Sequence, residues 1–229
     1  MAVCIIPARG GSKRIPRKNI RNFLGKPMIA WSIQAAQLAE CVDDVVVTTD
    51  DAEIAEIATK WGAKVPFLRA SHLANDFAPT KPVIADAIEN LNLDKDVLVC
   101  CLYATAPFVQ SGDLAAGYKL SKQHRGTFAA SVCRFDYPIQ RALKMTKSGA
   151  VEMDKPQYGT SRSQDLETFW HDAGQFYWAS SENWQTGTDA IFEQNTFGIP
   201  LPSNRVQDID TEEDWIKAEQ LMRIRLNTN

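Results

Sequence analysis

Residues 5–21 read I-I-P-A-R-G-G-S-K-R-I-P-R-K-N-I-R. They follow an unbroken apolar run, residues 2–6, that suits a short buried strand, and they lead into an apolar pattern of helical period beginning near Pro27. The stretch is therefore a loop at the carboxyl end of an N-terminal strand, where α/β sheets collect ligands. Within it sit Arg9, Lys13, Arg14, Arg17, Lys18 and Arg21. Gly10 and Gly11 free the backbone to approach a ligand closely, and Pro7 and Pro16 stiffen the turn. No acidic residue precedes Glu40, although the formal net charge of the chain is -3. Positive charge sorted this way in a net acidic protein reads as a cradle for a polyphosphate. Neither G-x-x-x-x-G-K-[ST] nor G-x-G-x-x-G can be laid on it, which disfavours a P-loop ATPase and a standard dinucleotide dehydrogenase.

Residues 27–39 carry Ile29, Ile33 and Ala36 at helical spacing, and the β-branched run 45–49 predicts a buried parallel strand. Asp51 is placed to cap a helix over 51–61 that Gly62 ends, with Ile54, Ile57, Ala58 and Trp61 as its apolar stripe. Residues 65–67 predict a third short strand, and the polar loop after it holds Arg69, His72, Asn75 and Asp76. Strand, helix and strand again is the grammar of a parallel sheet, so Arg69 and Asp76 fall on the ligand side. Thr80 stands where it can cap a helix over 83–91. Residues 96–102 predict a central strand that delivers Tyr103, Thr105 and Pro107 into the same loops, and a helix over 111–123 is capped by Ser111. Residues 127–134 are strand-like, as are residues 175–179 with three aromatics. Thr211 with Asp214 opens a terminal amphipathic helix through Leu226. Between these elements, residues 136–170 are polar, carry Pro138, Gly149, Pro156 and Gly159, and lack a long periodic run. A structureless loop of that length is improbable inside a domain, so an inserted arm with its own hairpins is expected.

With 229 residues, 45% hydrophobic and 23% charged, the chain suits one α/β domain over 1–229. No apolar run approaches the ~20 residues that span a bilayer, and no secretory signal pattern occurs. The five cysteines, Cys4, Cys41, Cys100, Cys101 and Cys133, lack metal-ligand spacing and fall mostly in or beside strand-like runs. Buried reduced thiols and a cytoplasmic protein are the expectation. A pI near 5.7 and confined basic charge give no support to nucleic acid binding.

The opening motif P-A-R-G-G-S-K-R-I-P-R-K-N (7–19) resembles that of the cytidylyltransferases that activate nine-carbon sialic-type acids as CMP sugars, the acylneuraminate cytidylyltransferase family. The resemblance continues through V-V-V-T-T-D-D (45–51), V-P-F-L-R (65–69), L-A-N-D (73–76) and D-I-D-T-E-E-D (208–214), so it covers nearly the whole chain. It implies a three-layer α/β sandwich of the nucleotide-diphosphate-sugar transferase type. The sheet would be mostly parallel, and the arm at 136–170 would mediate a homodimer and help cover the partner's site. It also implies CTP and a sugar acid as substrates, with Mg2+ as cofactor. Ala8, Gly10, Gly11, Ser12, Lys13, Asn19, Arg69, Thr80, Tyr103, Gln164 and His171 are the substrate-binding candidates it suggests. For Thr80 a contact to the nucleotide base stands beside the capping role, and for His171 a substrate contact stands beside packing among aromatics. In the N-acylneuraminate members the loop after the central strand reads L-Q-P-T-S-P, with its glutamine in the sugar site. Here residues 102–107 read L-Y-A-T-A-P, which puts Tyr103 in the amide's place. Residues 161–167, S-R-S-Q-D-L-E, and 171–178, H-D-A-G-Q-F-Y-W, look more like members that take pseudaminic acid.

Nucleotidyl transfer needs a neutralised triphosphate, an aligned hydroxyl and activation of that hydroxyl. Arg9, Lys13 and Lys18 suit the first need. Asp208 and Asp210, two apart on an extended segment, point to one side and can bind Mg2+ between phosphate and hydroxyl. Arg9, Lys18 and Asp210 are thus the catalytic candidates. The plain alternative is that the two carboxylates only solvate or cap the helix beginning at Thr211. Their distance in sequence from the basic loop is met by a last strand returning beside the first. Two rivals remain: a synthetase for N-acylneuraminate or legionaminate, and a CTP-binding regulator without chemistry, which basic loop and paired carboxylates together argue against.

Overall fold

Successive residues of the N-terminal strand β1 (Ala2–Pro7) point to opposite faces, and both faces are buried, so this strand lies inside the sheet. A computed structural model describes residues 1–75, 78–192 and 195–227. Asp76, expected on the ligand side, lies outside the described residues. After β1 come a two-stranded ribbon, β2 (Asn22–Phe23) and β3 (Lys26–Pro27), then α1 (Met28–Gln37), β4 (Asp44–Thr48) and α2 (Ala52–Lys60). The chain continues through α3 (Thr80–Asn90), β5 (Leu98–Leu102), α4 (Ser111–Gln123) and β6 (Ala129–Arg134). A small hairpin, β7 (Leu143–Met145) with β8 (Val151–Met153), stands in the expected arm. Then follow β9 (Trp170–Ser180), α5 (Ser181–Gln185), β10 (Phe197–Leu201) and α6 (Glu212–Asn227).

The main sheet runs β10-β6-β9-β5-β1-β4. Pairing is parallel except at β9, which is antiparallel to both β5 and β6. One face packs Cys4, Ile6, Val47, Leu102 and Trp178 against Ile29 and Ile33 of α1, Ile54 of α2 and Leu114 of α4. The other packs Val3, Ile5, Val99, Cys101 and Tyr177 against Ile84 and Ile88 of α3 and Trp184 of α5. The expected three-layer α/β sandwich with a mostly parallel sheet is what forms. A third cluster, with Ile15, Phe23, Phe108, Ile209 and Trp215, fastens α6 and the segment before it beneath the basic loop. All five cysteines are free, with Cys41 half-buried and the others buried. No helix among the described residues is long and apolar enough to cross a membrane.

Several local expectations are corrected. Residues 65–67 form no strand: isolated bridges at Lys64 and Leu68 run the segment along β4, and Pro66 between them has no N–H to extend the ladder. Thr80 is the first residue of α3 rather than its cap, which is Pro79. The cap of α4 is Gln110, whose N–H donates to the Asp113 carboxylate at 2.9 Å. H-D-A-G lies inside β9 rather than before it. The last strand, β10, does not return beside β1 but pairs with β6 at the far edge, where Pro200 is tolerated. Asp51 does cap α2, accepting from Ile54 N–H at 3.0 Å. Thr211 and Asp214 exchange hydrogen bonds at the start of α6.

Candidate active site

At the carboxyl ends of β1 and β5 the loops leave a cleft of about 310 Å³, within the range of small-molecule sites. It is lined by Arg9, Ser12, Lys13, Arg14, Lys18 and Asn19 from the basic loop, Arg69 and Asn75, Thr80 of α3, and Tyr103 to Thr105 after β5. Asp210 closes it from the far end of the sequence. Among the described residues its walls hold five cations and one carboxylate, a field suited to a polyanion.

The loop is held from both ends. Ala8 N–H donates to Thr48 O at 3.0 Å, Gly10 N–H to Asp50 Oδ1 at 3.0 Å, and Asn19 Nδ2 to Arg9 O at 2.9 Å. A side chain on Gly10 would put its Cβ 2.5 Å from Asp51 Oδ2, so glycine is required there, whereas a Cβ on Gly11 meets open space. The loop's six charges separate by partner. Arg17, at φ 57°, turns its guanidinium to Asp51 (2.5 and 3.0 Å) and to Glu53. Held by that fork, the Asp51 carboxyl drops to about 2. Arg21 pairs with Glu212 and lies 4.5 Å over the Trp215 ring. These two cations brace the loop, and the other four line the cleft.

Lys18 Nζ donates to Ile209 O at 2.6 Å and to Asp210 Oδ1 at 3.2 Å, while Arg14 reaches Asp210 Oδ2 at 2.7 Å. The Asp208 carboxyl is raised, first by the protein packed around it and then by the Asp210 charge, even though the residue keeps an exposed edge and does not line the cleft. Arg69 is buried in the cleft wall, 3.8 Å from Asp50, and burial lowers its pKa. Its Nε finds no hydrogen-bond partner among the described residues. The Tyr103 hydroxyl shares a 2.6 Å hydrogen bond with Thr80 Oγ1, and burial pushes its pKa up to about 12.

The candidates Arg9, Ser12, Lys13, Lys18, Asn19, Arg69, Thr80, Tyr103 and Asp210 thus meet in one cleft. Ala8, Gly10 and Gly11 shape the loop without lining it. Gln164 sits in the arm, and His171 lies on β9 opposite Cys133, 4.9 Å from the Phe135 ring, so both stand apart from the cleft of their own chain. Arg14, Asn75 and Thr105, which the sequence put in the surrounding loops without naming them as site residues, also line the cleft; the pairing of Arg14 with Asp210 leaves no trace in the local sequence.

A protein-family profile described as Cytidylyltransferase matches residues 3–194. The chain belongs to that family. It is 45% identical over 224 residues to a pseudaminic acid cytidylyltransferase of Campylobacter jejuni subsp. jejuni serotype O:2, covering 97% of this chain and 96% of the relative. A CMP-N,N'-diacetyllegionaminic acid synthase of Legionella pneumophila is 32% identical, covering 97% of this chain and 96% of the relative. Among solved structures, a CMP:2-keto-3-deoxy-manno-octonic acid synthetase complexed with CTP superposes with a TM-score of 0.71 at 17% identity, covering 98% of this chain and 99% of that one. A 4-diphosphocytidyl-2C-methyl-D-erythritol synthase does so with a TM-score of 0.67 at 13% identity, covering 96% and 97%. At such identities the likeness speaks to the fold of the cytidylyltransferase chain, which is the sandwich described above.

Proposed function

We propose that the protein joins CTP to pseudaminic acid, giving the CMP sugar and pyrophosphate. The observation that carries this reading is the 45% identity, over nearly the full length of both chains, to a pseudaminic acid cytidylyltransferase. In the reaction the anomeric hydroxyl of the sugar acid attacks the α-phosphorus of CTP. An O–P bond forms there, the bond to the β-phosphate oxygen breaks, and the hydroxyl proton leaves to base or solvent.

Arg9, Lys13 and Lys18 neutralise the triphosphate and the leaving pyrophosphate, a task that preorganised cations perform without rearranging solvent. Gly10, Gly11, Ser12 and the backbone at Ala8 let the loop close on phosphate, and Asn19 keeps the loop's shape through Arg9 O. Arg69 and Thr80 face the nucleotide, and Tyr103 faces the sugar. Asp208 and Asp210 are the pair for Mg2+. Both are hard oxygen donors; Asp208 is raised first by burial and then by the Asp210 charge, and a divalent cation would relieve the second of these. The described residues form no cluster of three or more ligating side chains, so Asp208 and Asp210 would hold the ion together with oxygens of substrate and water. Bound there, the ion would polarise phosphate oxygens and lower the pKa of the hydroxyl. For Asp210 to ligate it, Lys18 or Arg14 must pass from that carboxylate to phosphate.

The active form is a homodimer in which the arm, with Gln164, meets the partner's site. The exposed apolar side chains Tyr137, Leu143, Met145 and Val151 on the arm support this, since such a patch is costly in water. The enzyme works in the cytoplasm, where its five free thiols stay reduced. Pyrophosphate release from CTP and Mg2+ with each of several purified nine-carbon acids tests the reading. Preference for pseudaminic acid is expected. Preference for legionaminic or N-acetylneuraminic acid would transfer the substrate assignment, and no release with any acid would end it.

A further inference from the structure

The antiparallel strand β9 carries a bulge. Its register against β6 shifts between Ala130 and Val132, and the unpaired turn of backbone is filled by Ser131 Oγ, which accepts from Gln175 N–H (3.4 Å) and Phe176 N–H (3.1 Å). Gly174 takes φ 59° beside it, in the left-handed region that glycine accepts without strain. Bulges of this kind re-aim a side chain and recur beside active sites. Here the re-aimed side chain is that of Gln175, 3% exposed, and it works in two directions. Its main-chain carbonyl accepts from Tyr103 N–H at 2.9 Å. Its side-chain Nε2 donates to Arg205 O at 2.6 Å.

The first partner lines the cleft, and the second stands three residues before Asp208 and five before Asp210, which closes it. Tyr103 opens the loop after β5, whose carbonyls at Tyr103 and Ala104 also accept from the buried Ser32 hydroxyl of α1 (2.8 and 3.4 Å). Arg205 begins the irregular strap that carries Asp208 and Asp210 from β10 to the basic loop. Its guanidinium forks onto Asp113 of α4 at 2.5 and 2.9 Å, so its carbonyl is presented from a fixed base. We propose that Gln175 is a positioning residue of the transfer reaction, a strut that fixes the separation between the Tyr103 wall and the strap bearing Asp208 and Asp210. The proposal rests on the reading of the site given above. It explains why an amide whose Oε1, a costly group to bury, finds no partner among the described residues occupies this spot: the donor is needed, and the acceptor comes with it.

Gln175→Met tests it, because methionine keeps the length, removes the donor and also removes the orphaned acceptor, which favours folding. A displaced carboxylate strap is expected to lower kcat by about tenfold to a hundredfold while KM for CTP, set by the untouched basic loop, stays within about twofold. Mn2+ titrated into the CTP complex and followed by electron paramagnetic resonance should bind roughly tenfold more weakly than in the parent enzyme, as when an outer support of a metal ligand is lost. Arg205→Lys, which keeps the charge opposite Asp113 but not the fork, is expected to shift the same two quantities by less. Parental kcat and Mn2+ affinity in Gln175→Met would overturn the proposal. So would a parallel fall of melting temperature, CTP affinity and kcat, which marks a merely structural residue. Failure of the parent itself to bind Mn2+ with CTP would overturn the metal reading instead, and the comparison of kcat at constant KM would then decide the strut.

Discussion

Lys18 Nζ lies 3.2 Å from Asp210 Oδ1 across 192 positions of sequence, and the same amine donates to the carbonyl of Ile209 at 2.6 Å. The pair joins the N-terminal loop to the segment leading into α6, so one lysine serves both as a cleft cation and as an anchor. Lys18→Ala is expected to lower kcat/KM by about 2–4 kcal/mol of transition-state stabilisation. If the lost anchor costs about 1 kcal/mol, the melting temperature falls by roughly 2–4 °C. Arg9→Ala is expected to lose comparable activity. Continuous pyrophosphate assay and calorimetry check both, and near-normal turnover in the two variants would end the cradle assignment.

Asp210→Asn keeps an oxygen within reach of Lys18 and Arg14 but removes the charge. CTP binding without metal should remain measurable by calorimetry, whereas metal-dependent turnover should fall by about two orders of magnitude or more. Retention of the parent's rate and Mg2+ response would make Asp208 and Asp210 solvated charges beside a helix.

Tyr103 separates sugar recognition from nucleotide recognition. Tyr103→Gln should raise KM for pseudaminic acid by about tenfold or more, with CTP affinity nearly unchanged. Because burial pushes its hydroxyl up to about 12, Tyr103 keeps its proton throughout an ordinary assay range. The pH–rate profiles of the parent and of Tyr103→Phe should therefore have the same shape at pH 6 to 10, and a new alkaline limb in either would contradict this.

The Asp51–Arg17 pair sets an acid dependence of stability. The folded Asp51 carboxyl titrates near 2, below its ordinary value of 3.8, so the folded state is favoured above the ordinary value and loses that advantage as pH falls toward 2. With side chains 37% and 20% exposed, solvent screening leaves about 1–2 kcal/mol at neutral pH. Melting scans from pH 6 to pH 2 should show a steeper decline for the parent than for Arg17→Ala. Parallel curves would remove the pair from the stability account.

Leu143 and Met145, 61% and 75% exposed on the arm, are expected at the subunit contact. Sedimentation at micromolar concentration should give a dimer for the parent and a shift toward monomer for Leu143→Glu with Met145→Glu. A parental monomer would refute the assembly.

The sequence exposed those parts of the fold whose causes are local. The strand–loop–helix opening, the Asp51 cap with Gly62 after the helix, and the Thr211–Asp214 exchange each follow from a few adjacent residues, and each forms. Residues 65–67 look strand-like because Val65 and Phe67 flank Pro66, whose missing N–H keeps the segment from extending a ladder. The strand at 197–201 was missed because Gly198 and Pro200 break its pattern, which only an edge position permits. Within the basic loop six charges look alike along the chain. That Arg17 and Arg21 brace the loop is decided by Asp51, Glu53, Glu212 and Trp215, partners 34 to 191 or more residues away that leave no local trace. Gln175 was legible only as part of a strand-like run, since its partners meet through a bulge.

The place of β9 also governs how the chain can be made. During synthesis β1, β4, β5 and β6 all leave the ribosome before residues 170–180 do, yet β9 fills the slot between β5 and β6. Until it arrives, the apolar run 98–102 keeps one unpaired edge and the strand at 129–134, whose other neighbour β10 is made later still, keeps both, the kind of surface that recruits neighbouring chains. A nascent polypeptide halted anywhere in the arm therefore carries a half-built sheet, and slowed translation between residues 134 and 180 is where aggregation competes hardest with folding.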